Sequence, residues 1–157
     1  MEDLLRWVVV GIGDITIKRV LPAILAEPRS RLHGVVSRDR AKGSAYAERI
    51  WSSLEEALED PAVDAVYVAT PVSLHAPQTK AALRAGKHVL CEKPMAMNYA
   101  EAQDMVRAGA ESGTVFGIAY YRRMYPKVRR LRELLEAGAI GRPVLADANN
   151  HYWFNNE

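Results

Sequence analysis

Trp7-Val8-Val9-Val10-Gly11-Ile12-Gly13-Asp14-Ile15-Thr16 runs from a strand, through a glycine turn, into a helix. Three successive valines after an aromatic read as a strand buried on both faces. The stretch from Thr16 to Ala26 then has helical period. A glycine at 11 permits a tight turn, a glycine at 13 lets backbone approach a ligand, and the free amides that open a helix attract an anion. In this strand-to-helix setting the spacing suits the pyrophosphate of a dinucleotide, and Asp14 and Ile15 are expected at the ligand with Gly11 and Gly13. Thr16 occupies the place of the fingerprint's third glycine. That position serves strand–helix packing, so the motif is weakened without losing its core.

Working outward, strand-like runs recur at Leu32 to Val36, Ala65 to Ala69, His88 to Cys91, Val115 to Ala119 and Val144 to Ala148. Amphipathic helical stretches separate them: Arg40 to Arg49, Ser53 to Leu58, His75 to Ala85, Asn98 to Ser112 and Lys127 to Ala137. Only Ile50 and Trp51 remain for a third strand, which is expected to be short or irregular. Ser53 with Glu56 reads as a capping box, and Gly86, Gly113 and Gly138 fall where helices should end. Apolar strands alternating with helices predict an α/β fold with a doubly wound parallel sheet, a Rossmann fold.

The 157 residues suffice for one sizeable core and not for a second complete domain. With 21 basic against 19 acidic side chains there is no strong field to draw nucleic acid or an anionic membrane, so any anion site is local. The single cysteine, Cys91, excludes an internal disulfide and suits a reducing compartment, with cytoplasm the default. No metal site is expected. The run Trp7 to Ile12 is too short to span a membrane, and the acidic Glu2-Asp3 is wrong for a signal peptide. The basic cluster Lys127, Arg129, Arg130 and Arg132 is interleaved with Glu133 and Glu136, and reads as a solvated helix face.

Strand ends carry the specific chemistry. The second strand ends Ser37-Arg38-Asp39, beside the expected adenosine ribose. Ser37 can donate to a 2′-phosphate, and Arg38 can neutralise it and lie flat on adenine, which favours NADP. Asp39 keeps NAD open, with the cap of the next helix as its alternative role. Thr70 and Pro71 end another strand at the edge where open α/β sheets bind ligands.

Four ordered stretches resemble the glucose-fructose oxidoreductase, inositol dehydrogenase and MocA family (Gfo/Idh/MocA). They are the Gly11 turn leading to Leu21-Pro22-Ala23, Ala69-Thr70-Pro71-Val72-Ser73-Leu74-His75, Glu92-Lys93-Pro94, and Tyr121-Arg122-Arg123 with Gly138-Ala139-Ile140-Gly141. The resemblance covers the whole chain. It implies an NAD(P)-dependent dehydrogenase of sugar-like or polyol substrates, with residues 1–125 as the cofactor domain. Residues 126–157 would be a linking helix and the first strand of an α+β substrate domain that is missing or only begun. Thr70, Pro71 and Leu74 would form cofactor wall, although Val72 departs from the family's common asparagine. For His75, starting a helix and touching the cofactor stay equally open.

Glu92 would also lie at the cofactor, and Lys93 would be the catalytic residue beside the nicotinamide. An amine there can orient or accept the hydroxyl proton as hydride leaves, helped by burial and by a cationic nicotinamide ring. The resemblance further implies a cis Lys93–Pro94 bond, Arg122 near the nicotinamide carboxamide, and a homo-oligomer in the full-length form. The family's assisting aspartate and histidine would lie beyond Glu157, so this polypeptide is expected to bind cofactor and turn over poorly. Tyr152-Trp153-Phe154 suggest a continuing protein, with Trp153 packed on the missing sheet rather than capping the nicotinamide pocket. The alternative is a non-catalytic dinucleotide-binding or redox-sensing module.

Overall fold

A computed structural model of the chain describes residues 4–147 and 149. The chain divides into two compact units, residues 1–120 and 121–157. The first unit contains six parallel strands in the order β3-β2-β1-β4-β5-β6: β1 (Leu5–Val10), β2 (Ser30–Val36), β3 (Ile50–Trp51), β4 (Ala65–Val68), β5 (His88–Cys91) and β6 (Phe116–Ile118). Sequence order reverses between β1 and β4, which pair from Trp7↔Ala65 to Val10↔Val68. That reversal opens a crevice at the carboxyl ends of the two strands, where doubly wound sheets take ligands.

Strand alternation distributes the core over both faces. Val8, Val10, Val66 and Val68 pack with Leu54, Ala82, Leu83 and Met105 on one face. Val9, Val35 and Tyr67 pack with Val20, Leu21 and Ile24 on the other. The helices concerned are α1 (Leu21–Ala26) on the second face, and α3 (Leu54–Leu58), α4 (His75–Arg84) and α5 (Tyr99–Glu111) on the first. Val8, Val9, Val66 and Val68 have no exposed surface, and each such burial contributes about 1.5 to 3 kcal/mol against an exposed side chain.

Three elements differ from expectation. The first helix is wound as a π-turn over Thr16–Val20 before α1 begins, with the Leu21 N–H donating to Thr16 O. Pro22 explains it: proline brings no N–H and crowds the carbonyl four residues earlier, and a wider turn relieves both. Helix α2 (Arg40–Ser44) stops short of Arg49, after the poor helix formers Gly43 and Ser44. Gly43 is pressed so closely on Ile50 that a Cβ there would lie 3.0 Å from Ile50 Cγ2. The expected strand at Val144–Ala148 is absent over residues 144–147, where Val144 and Leu145 are 94% and 88% exposed and pair with no strand among the described residues. Ala148 and Tyr152-Trp153-Phe154 lie outside the described residues.

The third strand is short, as expected, and pairs only Val35↔Ile50 and Val36↔Trp51. Ser53 caps α3 by accepting from the Glu56 N–H at 3.3 Å. The return half of the capping box is displaced by one residue: the Glu56 carboxylate accepts from Ser52 N–H at 3.2 Å and Ser52 Oγ at 2.8 Å.

The second unit holds a single-turn helix at Tyr121–Met124 and α6 (Pro126–Glu136). Lys127, Arg129, Arg130 and Arg132 are exposed, and Arg130–Glu133 and Arg132–Glu136 form ion pairs at 3.1 and 2.7 Å. Among the described residues no helix is long and apolar enough to cross a membrane.

Candidate functional site

Gly11 ends β1 with φ +93°, a conformation side chains rarely adopt. A Cβ there would also sit 2.7 Å from the Ala69 carbonyl oxygen. The glycine is therefore required twice, by its own dihedral and by the close approach of the chain leaving β4. Gly13 differs: nothing lies within 4 Å of where its Cβ would be, so this side of the turn is open to a ligand. Thr16 is fully buried, and its Oγ1 donates to Gly11 O at 2.9 Å. The residue replacing the third glycine thus closes the turn by a hydrogen bond.

A groove of about 600 Å³ lies at this edge, and Gly11, Gly13, Ser37, Arg38, Thr70, Pro71 and Leu74 all line it. Seven predicted ligand residues, from the ends of β1 and β2 and the segment that follows β4, are brought to one surface. Lys42 and Gln78 line it as well and were not foreseen. Gln78 lies one helical turn beyond Leu74, a signal available in the sequence, and accepts from Thr70 Oγ1 at 2.6 Å. At the β2 end, Asp39 accepts from the Lys42 N–H at 3.0 Å as the cap of α2. Its carboxylate is engaged by the helix, while Arg38 is exposed in the groove wall.

The other predicted residues are placed differently. Asp14 pairs with Lys18 at 2.7 Å on the surface, and the hydrogen bond and charge of Lys18 hold its carboxyl below the usual range. Ile15 is partly exposed on the first turn of the helix and does not line the groove. His75 is buried behind the groove wall, with Nδ1 2.9 Å from Pro94 O and Nε2 2.9 Å from Thr70 O. Glu92 is buried too. Its carboxylate accepts from Tyr67 Oη at 2.7 Å and from the Lys93 N–H at 3.1 Å. Burial, with the Glu92 hydrogen bond second, pushes the Tyr67 phenol well above its ordinary value, so the phenol keeps its proton and donates. Tyr67 went unrecognised because its partner is 25 residues away and meets it only through β4–β5 pairing.

Lys93 follows β5 at the carboxyl edge of the sheet and is exposed, so the expected burial is absent in this chain. Two residues past the end of β5 the backbone turns out of the sheet through a Lys93–Pro94 bond that is cis, as the resemblance implied. Cys91, just before it, is buried, and burial pushes its thiol up to about 11, which leaves no thiolate nucleophile there. Arg122 lies in the second unit, in the Tyr121–Met124 turn.

Residues 5–120 match the pattern of the Gfo/Idh/MocA group, described as an oxidoreductase family with an NAD-binding Rossmann fold. The chain belongs to this family. It is 42% identical over 146 residues to the 1,5-anhydro-D-fructose reductase of Ensifer adhaerens, a match covering 90% of this chain and 44% of that protein. It is 41% identical over 141 residues to the dTDP-3,4-didehydro-2,6-dideoxy-alpha-D-glucose 3-reductase of Streptomyces violaceoruber, covering 87% and 41%. A 3-ketoreductase from Actinomadura kijaniata, crystallised with TDP-benzene and NADP, superposes with a TM-score of 0.79 at 33% identity, over 87% of this chain and 44% of that one. The chain thus spans less than half the length of these Gfo/Idh/MocA relatives.

Proposed function

We propose that the full-length protein is an oxidoreductase transferring hydride between the CH–OH carbon of a sugar-like or cyclic polyol substrate and a nicotinamide cofactor, with NADP preferred to NAD. The observation that carries this reading is Lys93, an exposed amine at the end of β5, one strand beyond the Thr70-Pro71 wall of the Gly11 groove. The groove fits a dinucleotide. It has an open backbone turn at Gly13 for pyrophosphate and Arg38 with Lys42 at the β2 end for a 2′-phosphate. Similarity to an anhydrofructose reductase and a dTDP-sugar 3-reductase supports the substrate class. NADP in the similar 3-ketoreductase supports the cofactor preference.

When bound, the nicotinamide supplies the hydride acceptor or donor at C4. Lys93 would orient the reacting hydroxyl or carbonyl and take up or return its proton. We assign residues 1–125 to the cofactor domain, residues 126–157 to a linking helix and the start of a substrate domain, and Arg122 to the nicotinamide carboxamide. A cytoplasmic location suits a chain whose one cysteine is buried and free. Assembly into a homo-oligomer through the substrate domain completes the reading.

Replacing Lys93 by Ala in a protein as long as these relatives tests it. Turnover should fall by roughly 10²- to 10⁴-fold, as for loss of a positioned proton-transfer group, with NADPH affinity little changed. Undiminished turnover would remove Lys93 from the chemistry, and a wild-type protein that binds dinucleotide without turning over any sugar or polyol would be a binding or redox-sensing module.

A further inference from the structure

His75 opens α4 with only 1% of its surface exposed, and it does not line the groove. Both ring nitrogens nonetheless meet oxygen at 2.9 Å: Nε2 faces the Thr70 carbonyl, at the end of β4, and Nδ1 faces the Pro94 carbonyl, just past Lys93. Carbonyl oxygens accept and never donate, so whichever ring nitrogen carries the N–H donates to the carbonyl it faces. One side chain thus ties the groove-lining turn to the lysine turn.

Other bonds complete the frame. Thr70 is held a second time, through its hydroxyl, by Gln78. The Lys93-Pro94 pair is held at its other end by the Lys93 N–H on Glu92, whose second oxygen is fixed by Tyr67 of β4. The dipeptide is therefore anchored at the N–H that precedes the lysine side chain and at the carbonyl that follows it. Removing His75 would release one of those anchors and empty the space the ring fills between the two carbonyls.

We propose that His75 is a positioning residue for the nicotinamide end of the site, holding the Thr70 turn and the Lys93-Pro94 turn at a fixed separation. This rests on the groove being a dinucleotide site, with adenosine over β2 and nicotinamide over β4 and β5. Misplacement by about an ångström between a wall and a reacting group is enough to degrade both orientation and binding.

The test compares two ligands on the 157-residue chain: NADPH, which spans the groove, and adenosine 2′,5′-bisphosphate, which lacks the nicotinamide half. His75→Ala should weaken NADPH about tenfold, the scale of one or two lost hydrogen bonds, and leave the bisphosphate within about twofold. His75→Asn and His75→Gln each keep an amide donor able to serve one of the two carbonyls, and should fall between alanine and wild type for NADPH. They also carry the test if circular dichroism shows that the alanine variant does not fold. Equal weakening of both ligands, or of neither, would overturn the proposal, because a purely structural role moves the two together. Failure of wild-type protein to bind either ligand would instead remove the dinucleotide reading, and this proposal with it.

Discussion

Asp60, at the end of the sheet opposite the groove, shows what a single carboxylate contributes to this fold. It accepts from His33 Nε2 at 3.0 Å, from the Ala62 N–H at 2.8 Å and from Arg49. The His33 hydrogen bond, then that of Ala62, hold its carboxyl down to about 2 in the folded chain, against 3.8 ordinarily. Because the folded value is the lower one, the contribution is complete above about pH 3.8 and is lost as pH falls through about 2. Asp60→Asn should therefore destabilise the chain by about 1 kcal/mol or more near neutrality, with the gap to wild type closing between pH 4 and pH 2 in denaturant melts. A gap that stays constant with pH would mean that packing, not charge, holds this corner. At this scale the sequence was legible where a residue's role is local. Gly11, Gly13, Ser37 and Arg38 follow from position on a strand-end turn, whereas the directions of His75 and Glu92 depend on strand pairing that no local window contains.

Elements were legible wherever hydrophobic period and length agreed. The valine-rich β1 and β4, and the long α4 and α5, stand close to their expected bounds because burial and propensity point the same way there. The exceptions have backbone causes that period does not register. Pro22 widens the first helix into a π-turn, and Gly43 ends α2 early. Thr16 sits at the start of that π-turn, and its hydroxyl donates to the Gly11 carbonyl of the glycine turn inside the fold. Thr16→Val keeps the shape and removes the donor, and should cost about 1 to 2 kcal/mol in chemical denaturation. A neutral effect would show that the turn is held by its backbone alone.

Across the whole chain, the doubly wound parallel sheet and the family were legible because several motifs end different strands at one edge of one sheet. Less was legible in residues 121–157: α6 formed as expected, while residues 144–147 form no strand, since a strand-like sequence becomes a strand only with a partner. The match to the family's NAD-binding Rossmann fold covers residues 5–120, all within the first unit. Calorimetric titration of the 157-residue chain with NADPH and NADH tests the central claim most directly. One site per chain is expected, with NADPH tighter by about tenfold or more from the Arg38 end of the groove. Tighter binding of NADH would reverse the cofactor preference, and no heat with either dinucleotide would contradict the account.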